Sequence, residues 1–144
     1  MAPATAVHTA DESTTTEVRA LRTYLDDLEA LGGVGSLLGW DHQVMMPPAG
    51  AAWRARQAGV FSELIHMRAT SEELDRLITA VEDADPDNVE ARVARREYHL
   101  ATQLPADHVR RSSEATAISQ DAWHGARQRN AYSEFAPHLE TVLQ

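Results

Sequence analysis

The sequence has no cysteine and no lysine, only eight aromatic residues, and no long apolar run. Without cysteine there is no disulfide, no thiolate metal site and no cysteine nucleophile, and a reducing, cytoplasmic setting is expected. No apolar stretch approaches the roughly 18 residues that a membrane span needs. Residues 1–16 lack both a basic start and an apolar core, so they do not read as a signal peptide; residues 1–13, rich in Thr and Ala, are expected to form a disordered tail. Positive charge is also scarce. All 13 basic residues are Arg, against 22 acidic ones, and the net charge of −9 argues against nucleic acid or an anionic membrane as partner. Large aliphatic residues are few as well: Leu, Ile, Val and Phe make up 28 of 144 residues, while Ala alone supplies 24. A chain this rich in Ala favours helix yet is poor in core-building side chains, so it is expected to lean on other polypeptide for burial.

What is present is helical periodicity. Thr14-x-x-Glu17 has capping-box spacing, and Val18, Leu21, Leu25 and Leu28 follow on one helical face, with Gly32-Gly33 expected to end the helix. A short helix is expected over 36–44, stopped by Pro47-Pro48, and another over 49–68. Thr70-x-x-Glu73 reads as a second capping box before the stripe Leu74, Leu77, Ile78 and Val81. After the Asp83–Asp87 break, helices are expected over 88–103, over 106–130 behind Pro105, and from Ser133 to Gln144, the last without a closing signal. No strand alternation and no fixed repeat appears. The fold class is therefore all-α, an antiparallel bundle or array of about six to seven helices, with 14–144 as one helical region.

The residue types that carry chemistry do not assemble into a familiar centre. A zincin helix needs two His at i and i+4 with Glu beside the first. None of His8, His42, His66, His99, His108, His124 and His138 is four from another, and none precedes Glu. Glu63-x-x-His66 has di-iron spacing but stands alone, and Glu134 and His138 are four apart. Ser112 and Ser113 lack a nucleophile-elbow setting, and Gly32-Gly33-Val34-Gly35 lacks both the preceding strand and the Lys of a phosphate loop. Arg95-Arg96 and Arg110-Arg111 can grip carboxylates but read better as solvated helix faces. Trp40-Asp41 with Met45, Met46, Pro47 and Pro48 reads as a helix end whose Trp and Met fill a core; Asp41 can accept from turn amides or pair with Arg54. No catalytic, cofactor-binding or metal-binding residue is assigned.

Four segments in colinear order nevertheless resemble one family. Trp40-Asp41-x(4)-Met46-Pro47-Pro48 is followed by Arg54 to Gln57, Leu64-Ile65-His66 and Leu74-x-x-Leu77-Ile78. Arg95-Arg96-x-Tyr98-x-x-Ala101-Thr102-x-Leu104-Pro105 comes next, and then Ala122-Trp123-x-x-Ala126-Arg127 with Phe135 to Glu140. Over residues 21–143 this is similar to the amino-terminal part of the carboxypeptidase Taq family of zinc metallocarboxypeptidases. The resemblance implies a larger, all-helical, homodimeric enzyme that removes residues from the carboxyl end of peptides, using metal-bound water deprotonated by the Glu of a His-Glu-x-x-His helix. That motif is nowhere in these 144 residues, so no family ligand carries over. His42 where Gln is expected, Gly59 within a helix, and Met67 after His66 depart from the pattern.

Two readings follow. In the first, the chain is a groove-forming amino-terminal piece of a metal-dependent carboxypeptidase, inactive by itself, with no cofactor of its own and zinc or another divalent metal in the full-length enzyme. In the second, it is a stand-alone, non-catalytic helical module that binds a peptide or a protein.

Overall fold

The computed structural model describes residues 5–143, and no strand occurs among them. The elements are α1 (Thr5–Val44), a 3-10 turn (Pro48–Gly50), α2 (Ala51–Ala69), α3 (Glu72–Ala84), α4 (Val89–Thr102), α5 (Ala106–Arg129) and α6 (Tyr132–Val142). The all-α expectation holds. Of the expected tail, residues 1–4 lie outside the described residues, and from Thr5 to Thr14 the backbone alone is described.

The expected break at Gly32-Gly33 does not occur, because α1 runs through it. No described glycine has positive φ, so these glycines never adopt the left-handed conformation by which glycine ends helices. Their helical conformation costs about 1 kcal/mol each relative to Ala and is tolerated. Asp41 closes the helix: its carbonyl accepts from the amides of Met45 at 3.0 Å and Met46 at 2.9 Å, ahead of Pro47.

The chain divides into two compact units, Met1–Leu31 with Met67–Leu104 and Gly32–His66 with Pro105–Gln144. The first has an aliphatic core. Leu21 and Tyr24 of α1, Leu74, Ile78 and Val81 of α3, and Ala91 and Ala94 of α4 are buried together, with Ile78 and Val81 wholly covered. Ala at both α4 positions lets its backbone approach α3 closely. The Tyr24 hydroxyl donates to the Arg68 carbonyl at 2.9 Å and lies 2.7 Å from Ser71 Oγ, while the Arg68 guanidinium sits over its ring. Ser71 caps α3 by accepting from the Leu74 amide at 3.1 Å, so the cap falls one residue after the expected Thr70. Asn88 caps α4 in the same way through the Ala91 amide.

Arg95 was expected on a solvated face and is instead a clasp between α4 and α3. Its Nη2 donates to Glu82 Oε2 at 2.8 Å and Thr79 Oγ1 at 2.7 Å, and Nη1 donates to Asp75. The hydrogen bonds to Glu82, with Asp75 beside them, raise the guanidinium's pKa above the usual arginine range. Two carboxylates of α3 that stand two turns apart, Asp75 and Glu82, and the Thr79 hydroxyl between them meet one planar donor fork, the geometry that suits Arg.

The second unit holds the end of α1, the 3-10 turn, most of α2, α5 and α6. Its buried residues are small or polar: Ala55, Gly59, His66, Ala117, Ser119 and Ala126. Helix α5 ends at Asn130, in the left-handed conformation at φ 54°, with the Ala131 amide donating back to the Ala126 carbonyl at 2.9 Å. Trp40 and Met45, expected to fill a core, are 58% and 65% exposed. The turn is held by polar contacts rather than by those side chains.

Candidate functional site

The second unit contains a cleft of about 690 Å³ between α2, α5 and α6. Helix α5 gives it Arg110, Glu114, Ile118 and Asp121, whose spacing of i, i+4, i+8 and i+11 sets them on one helical face. Helix α2 gives it Ala51, Ala52, Ala55 and Arg56, and α6 gives it His138. Small side chains on α2 leave the space, and the charged residues of α5 fill its wall.

The wall is cross-linked. Arg110 donates through Nε to Glu114 Oε1 at 3.2 Å and lies 3.4 Å from Glu63 Oε2 of α2. The hydrogen bond that Arg110 donates to Glu114 is the main cause of its raised pKa, with the charges of Glu114 and Glu63 adding to it. Arg110 is thus a clasp as well, although expected on a solvated face; Arg111 pairs with exposed Asp107 on its own helix. Ser62 donates to Ser113 at 2.9 Å, a hydroxyl pairing with a hydroxyl that cannot serve as base, so no activated nucleophile arises there. Glu63, the carboxylate of the di-iron spacing, faces a guanidinium.

Gly59 explains itself here. A Cβ at this position would lie 2.3 Å from Glu114 Cγ and 2.6 Å from its Oε1, well inside contact distance. The Glu114 side chain lies flat on the bare helix backbone at Gly59, and this places its carboxylate against Arg110. What reads in the sequence as a helix defect is a seat for an ion pair.

The Trp-Asp turn contributes a second polar cluster. Asp41 pairs with Arg54, the pairing that sequence spacing allows. His42, whose side chain is 6% exposed, brings Nε2 to 3.0 Å from Asp121 Oδ1, yet the two are not aligned for a hydrogen bond, and buried Asp121 Oδ2 accepts none. Sequence reasoning missed this pair, because 79 positions separate its members. The α5 spacing from Arg110 to Asp121 was the available signal.

The donor set does not suit a catalytic zinc, which takes three protein ligands. Among the described residues no three His, Asp or Glu are grouped so as to hold a metal ion. The cleft instead offers guanidinium and carboxylate groups above an Ala and Ile floor. Such a surface can hydrogen-bond a peptide chain and accommodate either of its charged ends.

Fold and site together define the class: an all-helical segment with a polar-walled cleft and, among the described residues, no group of three His, Asp or Glu that could hold a metal ion. Residues 20–144 match the Carboxypeptidase Taq (M32) metallopeptidase family, and the chain belongs to it. It is 30% identical over 118 residues to thermostable carboxypeptidase 1 of Pyrococcus furiosus, covering 79% of this chain and 24% of that protein. It is 25% identical over 114 residues to carboxypeptidase 1 of Bacillus subtilis, covering 76% of this chain and 23% of that one. The chain thus spans about a quarter of the length of the curated relatives it matches. No solved structure matches it. Among the described residues no helix is long and apolar enough to cross a membrane.

Proposed function

We propose that this chain is the amino-terminal, groove-forming scaffold of a metal-dependent carboxypeptidase and is inactive by itself. The observation that carries this reading is the family match over residues 20–144 in a chain without a His-Glu-x-x-His segment. The catalytic metal, zinc by family resemblance, would then be held by polypeptide beyond the matched region. The cleft between α2, α5 and α6 would form part of the wall along which a peptide substrate lies, with Arg56 and Arg110 as its cationic groups. A cytoplasmic, homodimeric enzyme fits the cysteine-free composition and the family resemblance.

Release of the carboxyl-terminal residue from a blocked dipeptide, with added zinc or cobalt, tests this. The 144-residue chain should show no chelator-sensitive release, whereas a polypeptide extended through a His-Glu-x-x-His segment should show it. Activity in the 144-residue chain would overturn the scaffold reading. A folded, metal-loaded and inert extended polypeptide would overturn the carboxypeptidase assignment.

A further inference from the structure

The cleft of the second unit has one carboxylate more than its guanidiniums engage. Glu63 and Glu114 are both committed to Arg110. Arg56, the other guanidinium at the cleft, is exposed and stands over the Trp53 ring, 5.9 Å from its centroid. Asp121 has no such partner. Its one ionic neighbour among the described residues is His42, whose Nε2 lies 3.0 Å from Oδ1 but is not aligned to donate, and its Oδ2 is buried without a hydrogen bond. The His42 side chain is itself only 6% exposed, and its Nε2 is likewise buried and unbonded.

A carboxylate oxygen withdrawn from water and given no donor carries a desolvation cost that a hydrogen bond would offset. The last torsion of an Asp side chain is broad and roughly two-fold, so a modest rotation presents either oxygen to the cleft that Asp121 lines. The remaining lining shows what can reach it. Ala51, Ala52 and Ala55 of α2 and Ile118 and Ala122 of α5 are apolar and, Ile118 apart, small. The space of about 690 Å³ falls within the roughly 300–1,000 Å³ of ligand pockets. A ligand that suits this surface has an aliphatic stem to lie along Ile118 and the alanines, and a cationic head to donate to Asp121. An anionic ligand fits worse, since it must either rely on exposed Arg56 or draw Arg110 away from two carboxylates.

We propose that this cleft is a subsite for the side chain of a lysine or arginine in a peptide, with Asp121 accepting from the ammonium or guanidinium head. This rests on the scaffold reading above, which supplies the peptide. Arg110 and Glu114 neutralise each other in the wall, and the seat at Gly59 that holds Glu114 against Arg110 keeps Glu114 from competing for the same head. The net charge of −9 favours the approach of a basic peptide over an acidic one.

The test titrates the isotope-labelled 144-residue chain with the N-acetyl methylamides of lysine, arginine, norleucine and glutamate, and with n-butylamine, following backbone amide shifts. The expected result is saturable shifts along 117–122 of α5 with the lysine and arginine probes. The uncharged norleucine probe should bind the unaltered chain roughly tenfold or more weakly, a comparison that needs no variant. Asp121→Asn, checked for unchanged helicity, should weaken lysine binding by a similar factor, while Asp107→Asn removes the same charge from the exposed start of α5 and should leave it unchanged. Equal binding of norleucine and lysine, or undiminished lysine binding by Asp121→Asn, would overturn the subsite. Preferential binding of the glutamate probe that Arg56→Gln abolishes would make the cleft an anion subsite and overturn it as well. Butylamine bound as tightly as the lysine probe would assign the cleft to free amines and overturn the peptide assignment. No binding of any probe would overturn the subsite and leave the scaffold reading, which the dipeptide assay judges separately, standing.

Discussion

The two units solve the same packing problem with different materials. The first, from Leu21 through Val81 to Ala94, excludes water from aliphatic side chains and adds the Arg95 clasp and an Arg22–Glu90 ion pair at its edges. The second buries Ala117, Ala126, Gly59 and Ser119 and is laced by Arg110–Glu114, Arg54–Asp41 and the His42–Asp121 contact. Apolar burial scales with the area removed from water, so a Leu or Ile contributes roughly 1.5–3 kcal/mol that an Ala cannot match. The lesson is that helix content says little about cohesion. The first unit buries a cluster of aliphatic side chains, whereas the fully buried residues of the second are small or polar.

The comparison breaks first at Ile78. Because Ile78 is wholly buried in the aliphatic core, Ile78→Ala should cost about 2–5 kcal/mol, read as a lower midpoint in denaturant titration by circular dichroism. An equally low cost for Ile78→Ala and Ala117→Gly would erase the distinction between the units. Gly59→Ala comes next. Helix propensity alone predicts a gain of about 1 kcal/mol, but the clash with Glu114 should reverse the sign to a loss of about 1–3 kcal/mol. The double variant with Glu114→Ala should recover most of that loss in a thermodynamic cycle. Arg95→Met removes the clasp and leaves Glu82 and Asp75 facing each other, for an expected loss of about 1–2 kcal/mol that shrinks when Glu82→Gln is added. Gly33→Ala is the smallest effect. An added Cβ there meets nothing within 4 Å, so the helix should gain up to about 1 kcal/mol, visible as a small rise in melting temperature. A loss at this position would show that a turn, not a helix, passes through it.

Local spacing carried much of the fold. The stripe on α3 emerges where its periodicity places it, and the break at Asp85 to Asp87 is held by the Asp85 and Asn88 side chains that mark it in the sequence. Asp41 meets Arg54 because thirteen positions across a turn return the chain to the same place. What was not legible depends on geometry between distant residues. Gly32 and Gly33 look like a stop, yet nothing in the sequence shows that their φ stays negative. The Trp-Met turn looks like a core plug because apolar residues usually are, and only coordinates show Trp40 in the open. Arg95 and Arg110 look solvated because the carboxylates they reach on other helices, Glu82, Asp75 and Glu63, lie 13 to 47 positions away. The family assignment rested on colinear motifs, and those are local signals that survive without any knowledge of packing.

The contact between Gly59 and Glu114 has a consequence for how this protein can change over generations. Two positions 55 apart share one volume, so position 59 cannot gain a side chain while Glu114 keeps its length. Among relatives, a side chain at the counterpart of position 59 should be accompanied by a short residue at the counterpart of position 114, and with it a loosened counterpart of Arg110. The glycine is a socket, and a lineage that fills the socket must first shorten the plug.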